Sequence, residues 1–311
     1  MKFAMVFPGQ GSQSVGMLAA YGDMPEVKEV LGVASEVLQQ DIGKLIAEGP
    51  IEELSRTVNT QPVMVTAGYA AYRVWQSLGG AEPAVVAGHS LGEYTALVAA
   101  GALAFEDALP LVRFRAQVMQ EAVPQGTGAM AAILGLDDAA VQEACAVAAQ
   151  GEIVEAVNFN APSQVVIAGH AGAVHRAMEA AREKGAKRAV SLPVSAPFHS
   201  SLLAPAAARL RDYLETVAIK APRIPVIHNF DVQQHDEAVA IRNALVQQAD
   251  HAVRWVETIR AIAAQGITQI AECGPGKVLA PLSKRIVDGM QGYALIDRAS
   301  IEQTISATKE A

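Results

Sequence analysis

Short apolar runs alternate with longer segments of helical period along the first 125 residues. Residues 3–7 are almost wholly apolar and lead into the turn-rich stretch 8–13, the pattern of a short buried strand followed by a loop. Apolar spacing predicts helices over 25–38 and 61–78, a strand over 84–87, and helices over 91–100 and 105–122. Strands alternating with helices imply a parallel sheet. After residues 124–126 the pattern changes: strands over 129–134, 154–159, 165–168 and 188–192 and helices over 137–149 and 171–184 run β-α-β-β-α-β, the order of a ferredoxin-like unit. A helix over 202–216, a strand over 226–228, helices over 238–249 and 253–265, a strand over 267–271 and a helix over 277–287 return to the first pattern. The expectation is an α/β fold: a large domain, 1–125 and 194–311, with a parallel sheet, and a small inserted ferredoxin-like subdomain, 126–193. The active cleft should lie between them. Residues 306–311 are expected to fray.

Composition narrows the function classes. The 311 residues are 51% hydrophobic and 18% charged, with a net charge of −8, which argues against a general binder of nucleic acid or of anionic membrane. The sequence has no 18-residue uncharged apolar run and no signal-type apolar region, so it reads as cytoplasmic. Its two cysteines, Cys145 and Cys273, suit a reducing compartment and have no zinc spacing. No metal is expected.

Gly88-His89-Ser90-Leu91-Gly92 spells G-x-S-x-G between a predicted strand and a predicted helix. Such a sharp turn lifts a serine hydroxyl clear of the sheet, and its glycines let strand and helix pass closely. Ser90 is therefore a candidate nucleophile, although Ser90 and Glu93 also fit the S-x-x-E capping box that opens a helix. A nucleophile needs a base and an oxyanion pocket. His199 lies just where the inserted unit ends and is the candidate base; a histidine of the core is the other reading. The Leu91 amide is the expected oxyanion donor, with Gln10 or Gln13 from the first loop as the second.

Arg115 points to the substrate. It sits in the middle of an apolar helical face formed by Ala108, Leu111, Val112, Val118, Met119 and Ala122, and a buried guanidinium needs an anion. That anion is either a substrate carboxylate or an Asp or Glu brought in by the fold. Two cofactor motifs fail. Gly9-Gln10-Gly11 lacks the third glycine of a dinucleotide fingerprint, Ser14 standing in its place, and the P-loop pattern has Met17 where lysine is required.

With these residues in place, the chain resembles the malonyl-CoA:acyl carrier protein transacylase family of bacterial fatty acid synthesis, relatives of polyketide-synthase acyltransferase domains. The resemblance spans nearly the whole length. Phe7-Pro8-Gly9-Gln10-Gly11-Ser12-Gln13, Gly88-His89-Ser90-Leu91-Gly92-Glu93-Tyr94, Arg115 with Met119-Gln120-Glu121-Ala122-Val123-Pro124, and Gly128-Ala129-Met130-Ala131-Ala132 carry it. So do Val157-Asn158-Phe159-Asn160, Pro193-Val194-Ser195 before Phe198-His199, and Glu272-Cys273-Gly274-Pro275-Gly276-Lys277-Val278-Leu279. It implies an α/β-hydrolase-like core with a ferredoxin-like subdomain, Ser90 as nucleophile, His199 as base and Arg115 as binder of the malonyl carboxylate. Gln10 and the Leu91 amide become the oxyanion donors, and the Gln248 carbonyl orients the histidine without a triad acid. Phe198 closes the pocket around the malonyl C2 carbon, and Asn160 joins the substrate-binding residues. The family pattern usually has Pro-Val where Ala252-Val253 stands, and a small aliphatic where Phe230 stands.

The implied partners are malonyl-CoA and holo acyl carrier protein. No cofactor is implied, since the CoA thioester is a substrate and the phosphopantetheine belongs to the carrier protein. Carrier proteins of this family are acidic, so a chain of charge −8 must dock through a local basic surface. Lys187-Arg188 and Lys284-Arg285 are the candidates, the first pair serving alternatively for CoA phosphates. A water-using esterase and an inactive interaction module are the rival readings; the first does not need Arg115, and the second does not need Ser90, His199 and Arg115 together.

Overall fold

The computed structural model describes residues 2–310. Strands β1 (Ala4–Phe7), β2 (Val85–Gly88), β7 (Val226–Ile227), β8 (Gln269–Cys273) and β9 (Gln291–Leu295) form one sheet in the order β7-β2-β1-β8-β9. Every pairing in it is parallel. The two-residue period of a strand divides its side chains between the sheet's faces. Met5, Phe7 and Val86 join a core with Tyr72, Leu97 and Leu109, while Ala4, Val6, Val85 and Ala87 pack against Trp255, Ile259 and Ile262. Covered on both faces, such a sheet reads as short continuous apolar runs.

Strands β3 (Gly128–Leu134), β4 (Val154–Ala161), β5 (Gln164–His170) and β6 (Arg188–Ser191) form the second sheet, in the order β4-β5-β3-β6. Its pairings are all antiparallel. The helices Asp138–Ala149 and Ala171–Glu183 cover one face through Val141, Val174 and Met178. On the other, Met130, Val157 and Val166 meet Val194 and Phe198. The two parts are also sewn together by backbone bonds: Phe159 N donates to Val253 O at 3.0 Å, and Val253 N to Val157 O at 2.8 Å. The fold is α/β, a parallel-sheet core with a ferredoxin-like unit inserted in it.

Several expectations need correction. The helix expected from residue 61 begins at Thr57 and continues through Pro62. Residues 306–310 do not fray; they lie in the helix Arg298–Glu310, and Ala311 falls outside the described residues. This helix turns Ile301, Thr304, Ile305 and Thr308 inward. The threonine hydroxyls donate to carbonyls one turn back, Ser300 O and Thr304 O, which hides the polarity that masked the period. Strand β9 was missed because Gly292 interrupts it, and a Cβ there would lie 2.6 Å from Ala280 O. The helices Ile42–Glu48 and Ile51–Leu54 were too short to show a period. Among the described residues, no helix is long and apolar enough to cross a membrane.

Packing is close where β2 turns into the helix Gly92–Ala99, all of whose residues are buried. A Cβ on Gly92 would sit 2.0 Å from Phe7 O, and one on Gly88 would sit 1.9 Å from Gly92 O. Both obstacles are backbone, which cannot rotate aside. Gly92→Ala should therefore destabilise the protein by about 3 kcal/mol, the upper range for overpacking. Urea unfolding checks this, with a lowered midpoint at unchanged m; an unmoved midpoint would show that helix and sheet can separate freely.

Candidate active site

The turn between β2 and the helix Gly92–Ala99 holds Ser90 at φ 52°, the left-handed region that a non-glycine side chain rarely adopts. Asn229, just past β7, braces it from both sides. Its Oδ1 accepts the Ser90 amide at 2.7 Å and its Nδ2 donates to Gly88 O at 2.8 Å. The capping-box reading of Ser90 and Glu93 does not hold, because Glu93 turns inward. The Glu93 carboxylate accepts from Asn229 N at 2.9 Å and Gln248 Nε2 at 3.0 Å, and meets His228 Nδ1 at 2.7 Å.

Ser90 Oγ lies 2.6 Å from His199 Nε2, and His199 Nδ1 lies 2.7 Å from the Gln248 carbonyl oxygen. A carbonyl only accepts, so Nδ1 carries the hydrogen and Nε2 offers its lone pair to the serine hydroxyl. His199 is also held at positive φ, 65°. Burial, and after it the Arg115 charge, lowers its pKa from the ordinary 6.5 to about 3. The imidazole is neutral at working pH.

Arg115, on the helix Phe105–Glu121, is buried. Its Nη1 donates to Gln61 Oε1 at 2.8 Å, and its Nη2 to Gln248 Oε1 at 3.0 Å and Ser90 Oγ at 3.2 Å. Nε has no partner, and the Tyr94 ring faces the guanidinium with its centroid 5.4 Å from Cζ. No carboxylate pairs with it among the described residues. The alternative of an internal salt bridge therefore falls away. Desolvation lowers the Arg115 pKa, as expected for a cation surrounded by neutral acceptors.

The Leu91 and Gln10 amides donate to no protein acceptor among the described residues. The Leu91 amide also sits at a helix N-terminus, where the backbone dipole favours negative charge. Asn160 is joined to the elbow by its neighbour: Asn160 Oδ1 lies 2.7 Å from His89 Nε2. Phe198 is half-buried and packs against the cores of both parts. At the seam between the two parts, a cavity of about 510 Å³ is lined by Gln10, Thr57 and Ser195, and another of about 560 Å³ reaches His199 from the side of Glu155 and His251.

The four basic candidates lie apart from this cluster. Arg285 is engaged, donating to Gln164 Oε1 at 2.6 Å and Pro162 O at 3.3 Å across the β4–β5 turn. Lys284 instead lines a cavity with Lys277. The Lys187 stem lies over Gly135, and Arg188 is exposed on β6. No group of three or more His, Cys, Asp or Glu suited to a metal occurs among the described residues. Gln61, Thr57, His228 and Asn229 were not singled out by sequence. Their one signal was weak, namely uncharged or single polar residues inside apolar surroundings.

A neutral histidine on an elbow serine, with the Leu91 amide following it at a helix N-terminus, is equipped for acyl transfer in an α/β enzyme. The acyl transferase domain family matches residues 4–304. The chain is 51% identical over 306 residues to the malonyl CoA-acyl carrier protein transacylase of Salmonella typhimurium, covering 98% of this chain and 99% of that one. It superposes with a TM-score of 0.97 on the acyl-carrier-protein S-malonyltransferase of Burkholderia pseudomallei 1710b, at 62% identity, covering 98% of this chain and 100% of that one. It superposes equally, with a TM-score of 0.97 and 49% identity, on a malonyl-transacylase in complex with its type II PKS acyl-carrier protein, covering 99% of this chain and 100% of that one. The chain belongs to the acyl transferase family, among its malonyl CoA-acyl carrier protein transacylases.

The low His199 pKa has a readable consequence. A base works only while neutral, so a depressed pKa extends activity to lower pH. The kcat/KM for acyl-enzyme formation should stay flat as pH falls through 6.5, where an ordinary histidine would titrate. Arg115→Ala removes the second cause of the depression, so its acid limb should move upward yet stay below 6.5, because burial persists. The pH profiles of the two proteins check this; a native limb at 6.5 or an unmoved limb in the variant contradicts it.

Proposed function

We propose that this chain moves a malonyl group from malonyl-CoA to the phosphopantetheine thiol of acyl carrier protein through a malonyl-Ser90 intermediate. In the first half-reaction Ser90 Oγ attacks the thioester carbonyl while His199 Nε2 takes the hydroxyl proton. The Leu91 and Gln10 amides receive the developing oxyanion. Collapse breaks the carbon–sulfur bond, His199 returns the proton to the departing CoA thiolate, and a malonyl ester remains on Ser90. In the second, the phosphopantetheine thiol gives its proton to His199 as it attacks the ester. The Ser90 oxygen leaves and recovers the proton. The Gln248 carbonyl holds the imidazole in the productive tautomer throughout, at 2.7 Å from Nδ1.

The observation that carries this reading is Arg115: a buried guanidinium without a carboxylate, with Nη2 3.2 Å from the nucleophile and Nε unpartnered. It supports binding of an acyl group that ends in a carboxylate. The hydroxyl it touches also gains, because a donor on Ser90 Oγ favours the oxygen as negative charge builds. We place Phe198 beside the malonyl C2 carbon and Asn160 along the acyl path. The functional division follows the two sheets: residues 1–125 and 194–311 carry the chemistry, and 126–193 close the cleft. The reaction needs no cofactor, and a cytoplasmic setting accords with two cysteines that are buried and unpaired.

Intact-mass measurement after mixing with malonyl-CoA tests the reading. One malonyl should be added, peptide mapping should put it on Ser90, and Ser90→Ala should take none. Arg115→Ala should cost malonyl transfer about 2–5 kcal/mol, the penalty for a buried carboxylate left without its partner. Acetyl transfer should fall far less. Equal losses, or an adduct on Ser12, Ser195 or Ser200, would overturn the assignment.

For the carrier protein we propose a dock around Lys284 with Lys277, since Arg285 is held by the β4–β5 turn. Lys284→Glu should slow transfer to carrier protein at low salt, flatten its salt dependence and leave loading from malonyl-CoA unmoved. Unchanged transfer at low ionic strength would remove Lys284 from the interface. Loss of the loading step after reversal of Lys187 and Arg188 would instead assign that pair to CoA phosphates.

A further inference from the structure

We infer that Thr57 is a positioning residue that ties the oxyanion loop at Gln10 to the carboxylate-binding arginine. The inference rests on the roles proposed above for Gln10 and Arg115. An oxyanion donor is effective only if it is fixed before the charge arrives. Gln10 is poorly placed to fix itself: it is exposed, and it lies between Gly9 and Gly11, the latter at φ 106°. Its side chain has one anchor among the described residues, the Thr57 hydroxyl, 3.0 Å from Gln10 Oε1.

That anchor is the end of a directed chain. Arg115 Nη1 donates to Gln61 Oε1 at 2.8 Å, Gln61 Nε2 donates to Thr57 Oγ1 at 3.1 Å, and Thr57 Oγ1 donates to Gln10 Oε1. A guanidinium can only donate, so it fixes the Gln61 amide with oxygen toward the arginine and nitrogen toward Thr57. The threonine hydroxyl, occupied as acceptor, turns its hydrogen to Gln10. Every bond runs the same way, an arrangement in which each strengthens the next. Thr57 and Gln61 are one helical turn apart at the start of the helix Thr57–Ser77, both buried, which sets the two side chains side by side. A carboxylate seated on Arg115 is thereby linked to the backbone amide that meets the oxyanion.

The test uses single-turnover acylation of Ser90 by malonyl-CoA, read by intact mass. Thr57→Val keeps the shape and removes the hydroxyl. It should lower the saturating rate about tenfold and leave the half-saturating concentration within twofold, since an oxyanion interaction is made in the transition state. Thr57→Ser should restore the rate. Gln10→Ala, at an exposed position that does not threaten folding, should give a similar loss, and the double variant should be no slower than either single one. An unchanged rate in either single variant, additive losses, or a raised half-saturating concentration at unchanged rate would each overturn the inference. If Thr57→Val does not fold, Gln10→Ala decides alone by the same criteria. Failure of the underlying reading looks different: native protein would then form no adduct on Ser90, or Arg115→Ala would affect malonyl and acetyl groups equally.

Discussion

An unneutralised guanidinium inside the protein is the constraint around which the site is arranged. Taking a charge out of water costs several kcal/mol even after relaxation. Folds ordinarily offset that with a carboxylate, yet here the acceptors are the amide oxygens of Gln61 and Gln248 and the hydroxyl of Ser90. The Tyr94 ring adds a further neutral contact. Neutral acceptors hold the guanidinium in place without cancelling its field. The field then reaches His199, lowering its proton affinity beyond what burial does.

A carboxylate is in fact close by. Glu93 lies three residues beyond Ser90, fully buried, and its charge acts on Arg115 through space. It is kept from direct pairing by its other partners: His228, the Asn229 amide and Gln248 Nε2. Gln248 stands between the two charges, its nitrogen toward Glu93 and its oxygen toward Arg115, while its backbone carbonyl holds His199. Its Nε2 also donates to Ser90 O at 2.9 Å. One residue thus touches Ser90, His199 and Arg115, so small displacements of its helix, Ala238–Asp250, are felt by all three.

Much of this was legible in the sequence where a residue broke a pattern set by its neighbours. Ser90 follows an apolar strand and is flanked by glycines whose absent side chains the packing requires. Arg115 interrupts an apolar helical face, and His199 falls at the end of the inserted unit. Gln61, Thr57 and Asn229 left no such mark, because uncharged polar residues at the ends of helices and strands are ordinary until their hydrogen bonds are seen. Glu93 was legible but misread: local spacing fits a cap, while the fold turns the carboxylate toward segments more than 130 residues away. The same limit hid the C-terminal helix, where threonines bonded to their own backbone serve as core residues.

The depressed basicity of His199 suits the proposed reaction, which runs through the same histidine twice. A weakly basic imidazole makes a strongly acidic imidazolium, which readily returns its proton to a departing thiolate or alkoxide. The corresponding weakness as a base is offset where it matters: Arg115 donates to Ser90 Oγ, so the oxygen gives up its proton more easily. On the proposed reading, a substrate carboxylate on Arg115 also cancels part of the field that suppresses His199. The base then gains strength when the cognate acyl group is seated, and an acyl group without a carboxylate leaves it suppressed. Selectivity would therefore appear in the chemical step as well as in binding, because the charge that recognises the malonyl group is the charge that governs the histidine.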